Sequence, residues 1–248
     1  MKGSNSILTQ FSTSNKRYIA VLIDPEKCTN NQSLKELLEK AAFAKVDFLF
    51  IGGSTVTRKE FDAAINLISE LSQLPIVIFP GSAQQISAKA DAILYLSLLS
   101  GRNPDFLIGH HIQSAIELYE MDIEVIPTAY LLIDGGTQSS VAYVSQTTPI
   151  PKDQTTILRQ TAIAGKLMGK KLIYLDAGSG AKYNVPTSMV EELTFLNLPI
   201  IVGGGIRDTN TIRKLHDAGA NVVVIGNKIE DEIDFLLDIN SYKSKKKN

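Results

Sequence analysis

Eight short apolar runs punctuate the chain, near 18–23 (YIAVLI), 47–51 (DFLFI), 76–79 (IVIF), 92–96 (AILYL), 123–128 (IEVIPT), 171–175 (KLIYL), 199–202 (PIIV) and 222–225 (VVVI). They are continuous rather than alternating, as expected of parallel strands covered on both faces. Between most of them apolar residues return at helical spacing. Leu34, Leu37, Leu38, Ala41 and Ala42 form one such stripe, with Ser33 and Glu36 reading as its capping box. Ile65, Leu67, Ile68 and Leu71 form another, and Ile212, Leu215 and Ala218 a third ahead of Gly219. Eight strands alternating with helices predict an α/β fold, a single (β/α)8 TIM-type barrel over residues 1–240, rather than an open doubly wound sheet. Only residues 80–91 separate the third and fourth strands, barely enough for a crossover, so the third helix is expected to be short or absent. After the fifth strand, residues 129–153 are polar and rich in Ser, Thr and Gly, as expected of an insertion that covers substrate.

At 248 residues the chain suits one barrel, whose usual size is about 250. A net charge of −1 provides no broad basic field, so nucleic acid is not an expected partner and any anion must be held locally. The single cysteine, Cys28, excludes an internal disulfide and fits a reducing, cytoplasmic setting. The start, MKGSNSILTQFSTSNK, lacks the apolar core of a signal peptide, and no apolar run approaches the 18 residues of a membrane span. Residues 241–248 are lysine-rich and read as a disordered tail, available for peripheral contact with an anionic membrane surface. Apolar outer helix faces favour a homo-oligomer over a monomer.

Catalytic groups of such barrels sit where strands end. The seventh strand stops on Gly203-Gly204-Gly205 and the eighth on Gly226-Asn227, each followed by a helical pattern. Glycine lets main chain approach a ligand closely, and helix N-termini offer free N–H groups, so the two turns predict a phosphate cradle. Asp24 directly follows the first strand and suits Mg²⁺ or a proton; a turn cap is the plainer reading. Ser54, in the glycine turn after the second strand, offers a hydroxyl to metal or phosphate, or caps the next helix. Arg102, after the fourth strand, is placed to fork onto a diphosphate, or is simply a solvated loop residue. On the sixth strand, alternation sends Tyr174 and Asp176 to one side and Leu175 to the other. Gly178-Ser179-Gly180 then adds N–H groups to the pocket. His110 and His111 lack Cys or Glu at ligand spacing and read as structural. Leu98, Leu99, Phe106, Leu107 and Ile108 are unusually apolar for a barrel mouth, either core beneath a helix or the lining of a hydrocarbon groove.

Together the strings LIDPEK, FIGGS, PIVIFPGS, LSGRNPDFLIG, YLDAGSGA, VGGGIR and VIGN resemble the geranylgeranylglyceryl phosphate synthase family over about residues 15–235. The GSGA wording is similar to its group II, which includes bacterial heptaprenylglyceryl phosphate synthases. The resemblance implies a barrel whose third helix is replaced by an extended stretch. It implies Mg²⁺-dependent transfer of a polyprenyl group, foremost geranylgeranyl, from its diphosphate to the 3-hydroxyl of sn-glycerol 1-phosphate. It assigns Asp24 and Ser54 to the metal. The glycerol phosphate falls to Tyr174, Leu175, Asp176, Ala177, Gly178, Ser179 and Gly180, with Gly204, Gly205, Gly226 and Asn227. Asp176 stands where the family usually has a glutamate general base, one methylene longer. Two other readings fit a phosphate-binding barrel: a phosphosugar isomerase, aldolase or lyase, for which Lys182 is available, and a phosphometabolite- or lipid-binding protein without turnover.

Overall fold

The computed structural model describes residues 6–13, 16–27 and 31–245; Cys28 lies outside them. The elements are α1 (Ile7–Phe11), β1 (Tyr18–Ile23), α2 (Asn31–Phe43), β2 (Phe48–Ile51), α3 (Arg58–Leu71), β3 (Ile76–Ile78), β4 (Ala92–Leu98), α4 (His110–Glu120) and β5 (Glu124–Leu132). The chain continues with α5 (Ser140–Ser145), α6 (Thr155–Leu167), β6 (Leu172–Asp176), α7 (Thr187–Glu191), β7 (Ile200–Gly203), α8 (Thr209–Asp217), β8 (Val222–Ile225), α9 (Asn227–Asp231) and α10 (Phe235–Lys245). All eight strands pair in parallel in sequence order, and β8 returns to β1 with Tyr18 opposite Val222, closing the barrel.

Alternation divides each strand between two cores. Ala20, Phe48, Phe50, Leu94, Leu172 and Val224 fill the barrel interior. Ile19, Val21, Leu49, Ile51 and Ile173 pack outward against the helices. Both faces being apolar, the strands read as continuous runs. The bottom is plugged by α1, whose Phe11 is fully buried edge-to-face on Phe48 at 5.0 Å. Glu124, at the start of β5, caps this helix by accepting from the Ile7 N–H at 2.6 Å.

No helix joins β3 to β4; residues 79–91 run in turns and extended chain, as the short spacing requires. Buried Gln85 fixes this stretch, donating to Gly53 O at 2.8 Å and accepting from Gly81 N–H at 3.0 Å. Three expectations need correction. The fifth strand does not stop at 128 but runs to Leu132, so the insertion starts later and contains α5. Helix α2 is already under way at Asn31, so Ser33 is not its cap; the capping box is Thr57 with Glu60, at the start of α3. Finally, residues 241–245 continue α10 rather than fraying, and Lys243 Nζ contacts Asp47 at 2.5 Å, anchoring it to the start of β2. The rest of the lysine-rich end lies outside the described residues. Among the described residues no helix is long and apolar enough to cross a membrane.

Candidate active site

The C-terminal ends of the strands surround a cavity of about 720 Å³. Its floor is aromatic. Phe79 stacks on Tyr174 at 4.8 Å, and Tyr130 stands edge-on to both rings, at 5.7 and 5.6 Å. Over this floor lies Asp176, 8% exposed, at the end of β6. Its Oδ2 accepts from the Tyr130 hydroxyl at 2.6 Å and its Oδ1 from the Gly178 N–H at 2.8 Å. Burial pushes the Asp176 carboxyl above the usual carboxylate range, while these two donors pull it back. Burial, and then the nearby charge of Asp176, hold the protons of Tyr130 and Tyr174 well above the ordinary tyrosine range.

One wall is made of main chain. Gly204 has φ of 83°, and a Cβ there would come within 2.7 Å of Gly178 N and 2.9 Å of Asp176 Oδ1. Gly205, at φ 68°, is equally closed to a side chain by Tyr183 O at 2.5 Å. The corner formed by Gly178, Ser179 and Gly180 is tied to β8 by Asn227, whose Oδ1 accepts from Gly180 N–H at 2.9 Å and from Ser179 Oγ at 3.2 Å. The glycine triplet does not open directly into a helix, however. Asp208 caps α8, accepting from Thr211 N–H at 2.8 Å, so the wall at this point is loop amide rather than helix terminus. Leu175 and Ala177 do not line the cavity; alternation turns them into the outer core.

Asp24 and Ser54 line the cavity at the ends of β1 and β2. The Asp24 carboxyl is raised by partial burial and its Oδ1 accepts from Glu26 N–H at 3.1 Å. A Cβ on Gly53 would fall 2.8 Å from that Oδ1, so the carboxylate faces bare main chain next to Ser54. No group of three or more His, Cys, Asp or Glu capable of holding a metal occurs among the described residues. One carboxylate beside a hydroxyl suits Mg²⁺, a cation that keeps several waters and is usually completed by substrate phosphate oxygens.

Arg102 does not line the cavity. The loop curls back and its Nη1 donates to Leu99 O and Gly101 O at 3.2 and 2.7 Å. The cations that do line the cavity are Lys27, Arg207 and Lys228. Lys27 pairs with Glu230 across the junction of β1 and β8, and Arg207 donates to Ala181 O at 3.3 Å. Sequence reasoning also passed over Tyr130; its signal was the apolar run Ala129–Ile133 continuing beyond Pro127. His111 is buried against Tyr95 at 4.2 Å, with its Nε2 3.4 Å from Ser97 Oγ. Leu98 and Leu99 are core, Ile108 is exposed, and Phe106 alone of the five apolar loop residues lines the cavity, with Leu96, Val141 and Val144 beside it.

The chain is similar to known proteins along most of its length. A protein of Zunongwangia profunda named geranylgeranylglyceryl phosphate synthase is 48% identical over 219 residues, covering 88% of this chain and 92% of its own. One of the same name from Korarchaeum cryptofilum is 39% identical over 228 residues, 91% of this chain and 92% of its own. The crystal structure of (S)-3-O-geranylgeranylglyceryl phosphate synthase from Thermoplasma acidophilum, in complex with substrate sn-glycerol-1-phosphate, superposes with a TM-score of 0.89 at 35% identity, covering 96% of this chain and 97% of that one. The PcrB family matches residues 11–242, and the chain belongs to it.

Proposed function

We propose that the chain joins a prenyl group to the 3-hydroxyl of sn-glycerol 1-phosphate, releasing diphosphate. The observation that carries this is the buried carboxylate of Asp176, set between a wall of glycine main chain and an apolar flank made by Phe79, Leu96, Phe106 and Val141. The names of the relatives and the glycerol phosphate held by the Thermoplasma acidophilum enzyme support the same substrates here.

The glycerol phosphate rests on the main chain at Gly204–Gly205 and Gly226–Asn227, beside the Gly178–Gly180 corner, whose Gly178 and Gly180 N–H groups are given to Asp176 and Asn227. So fixed, the 3-hydroxyl is held at attacking distance, removing much of the entropic barrier. Its oxygen bonds to the allylic carbon, the carbon–oxygen bond to diphosphate breaks with its electron pair leaving on oxygen, and the hydroxyl proton passes to Asp176. Asp24 and Ser54 would hold Mg²⁺, which when bound neutralises the charge of the departing diphosphate. The prenyl tail lies along the apolar flank toward a second hollow of about 40 Å³, which shares Pro80 and Leu96 with the main cavity and occupies the gap left by the missing helix. Lys182, the lysine available to the phosphosugar readings, sits over the Tyr183 ring and does not line the cavity.

Purified protein incubated with labelled sn-glycerol 1-phosphate, Mg²⁺ and prenyl diphosphates of graded length should form an ether product with at least one. No product at any length rejects the reading. A homo-oligomer is also proposed, supported by Ile112, Ile116 and Tyr119, which stand 69, 76 and 93% exposed along α4. Light scattering at the monomer mass would remove it. Peripheral membrane contact is proposed from the apolar donor and the lysine-rich end, and failure to float with anionic vesicles carrying prenyl diphosphate would discard it.

A further inference from the structure

The geometry points to Tyr130 as a positioning residue for the proposed base: its phenol aims the Asp176 carboxylate into the cavity and favours its ionised form. The inference rests on the prenyl-transfer reading above. β5 and β6 pair with Tyr130 opposite Tyr174 and Leu132 opposite Asp176, so Tyr130 lies inside the barrel and reaches along it to the carboxylate. Its ring is held edge-on between Phe79 and Tyr174, which fixes the hydroxyl against Oδ2. Tyr130 on one oxygen and the Gly178 N–H on the other settle the orientation of the carboxylate, leaving each oxygen a further lone pair for the incoming hydroxyl.

The groups facing Asp176 can be named element by element. β5 supplies the Tyr130 phenol and β6 the Tyr174 phenol. β7 supplies only main chain at Gly204, and the β6 loop the Gly178 N–H. Burial favours the protonated carboxyl, and a hydrogen bond donated to the ionised form opposes it. Tyr130 keeps its own proton throughout, since burial and the adjacent negative charge both resist its loss. In the transfer step the glycerol proton ends on Asp176 and the electron pair of the broken bond on diphosphate.

The test is Tyr130→Phe, which preserves the ring contacts and removes only the hydroxyl. Asp176 is followed by ¹³C NMR of labelled aspartate, its resonance assigned by loss in Asp176→Asn, and kcat/KM is measured against pH. With the donor gone the carboxyl should titrate about one pH unit higher, and the acid limb of kcat/KM should move with it, so that activity falls about tenfold more below the limb than above it. A carboxyl and limb left where the wild type has them, with loss equal at every pH, would assign Tyr130 a packing role and overturn the inference. Should Tyr130→Phe not fold, 3-fluorotyrosine at position 130, a more acidic donor, should move both downward, and no movement is equally fatal. The NMR titration needs no turnover. A shifted carboxyl in a protein that forms no ether would sink the prenyl-transfer reading alone, and an unshifted one in an active enzyme would sink this inference alone.

Discussion

Asp24 and Asp176 share one cavity but not one environment. Asp176 is buried with both oxygens engaged by neutral donors, which suits a group that takes a proton. Asp24 is only half-buried at the rim, against glycine main chain and beside a hydroxyl, which suits a cation. Asp24→Asn keeps the shape and removes the charge, so Mg²⁺-dependent turnover should fall by about a hundredfold or more, in line with the loss of a metal's charge stabilisation. Binding of glycerol phosphate, followed by calorimetry, should persist because the glycine wall is untouched. Full turnover in the variant would remove Asp24 from the metal. Both acids were legible because each directly follows an apolar strand, a position that cannot swing away from the mouth. Arg102 misled for the opposite reason: it lies on a loop, and nothing in the local sequence tells whether a loop guanidinium faces substrate or its own carbonyls.

Among the elements, the turn after β7 is the least forgiving. Gly204→Ala would place a Cβ against Gly178 N and the Asp176 carboxylate while forcing alanine into the left-handed region. That conformation alone costs about 1–2 kcal/mol. The KM for glycerol phosphate should rise at least tenfold and the melting temperature should fall; kinetics with normal KM would show that the wall does not grip the headgroup. Strands were the clearest elements to read, since burial on both faces leaves a dense apolar signature. β5 was cut short because Pro127 and Thr128 look like a strand end, although Pro127 sits in register opposite Tyr95. The missing helix after β3 was legible from spacing alone. Helix α1 was not, because five residues carry too little periodicity to separate a plug from a polar leader.

For the molecule as a whole, the bottom plug bears on stability rather than chemistry. Phe11 is fully buried among Phe48 and Phe50, so Phe11→Ala should cost about 3–5 kcal/mol in urea unfolding. The altered side chain lies at the end of the barrel away from Asp176, and kcat should stay within about twofold. A large loss of kcat with unchanged stability would contradict this division of labour.

The pairing of β1 with β8 gives the first strand a neighbour made some two hundred residues later. On a translating ribosome that flank of β1 has no mate until Val222–Ile225 emerge, and the growing half-shell presents a naked edge to anything able to add a strand. Chaperone dependence should therefore be greatest late in synthesis. A chain broken off upstream of residue 222 should yield aggregate rather than a smaller barrel.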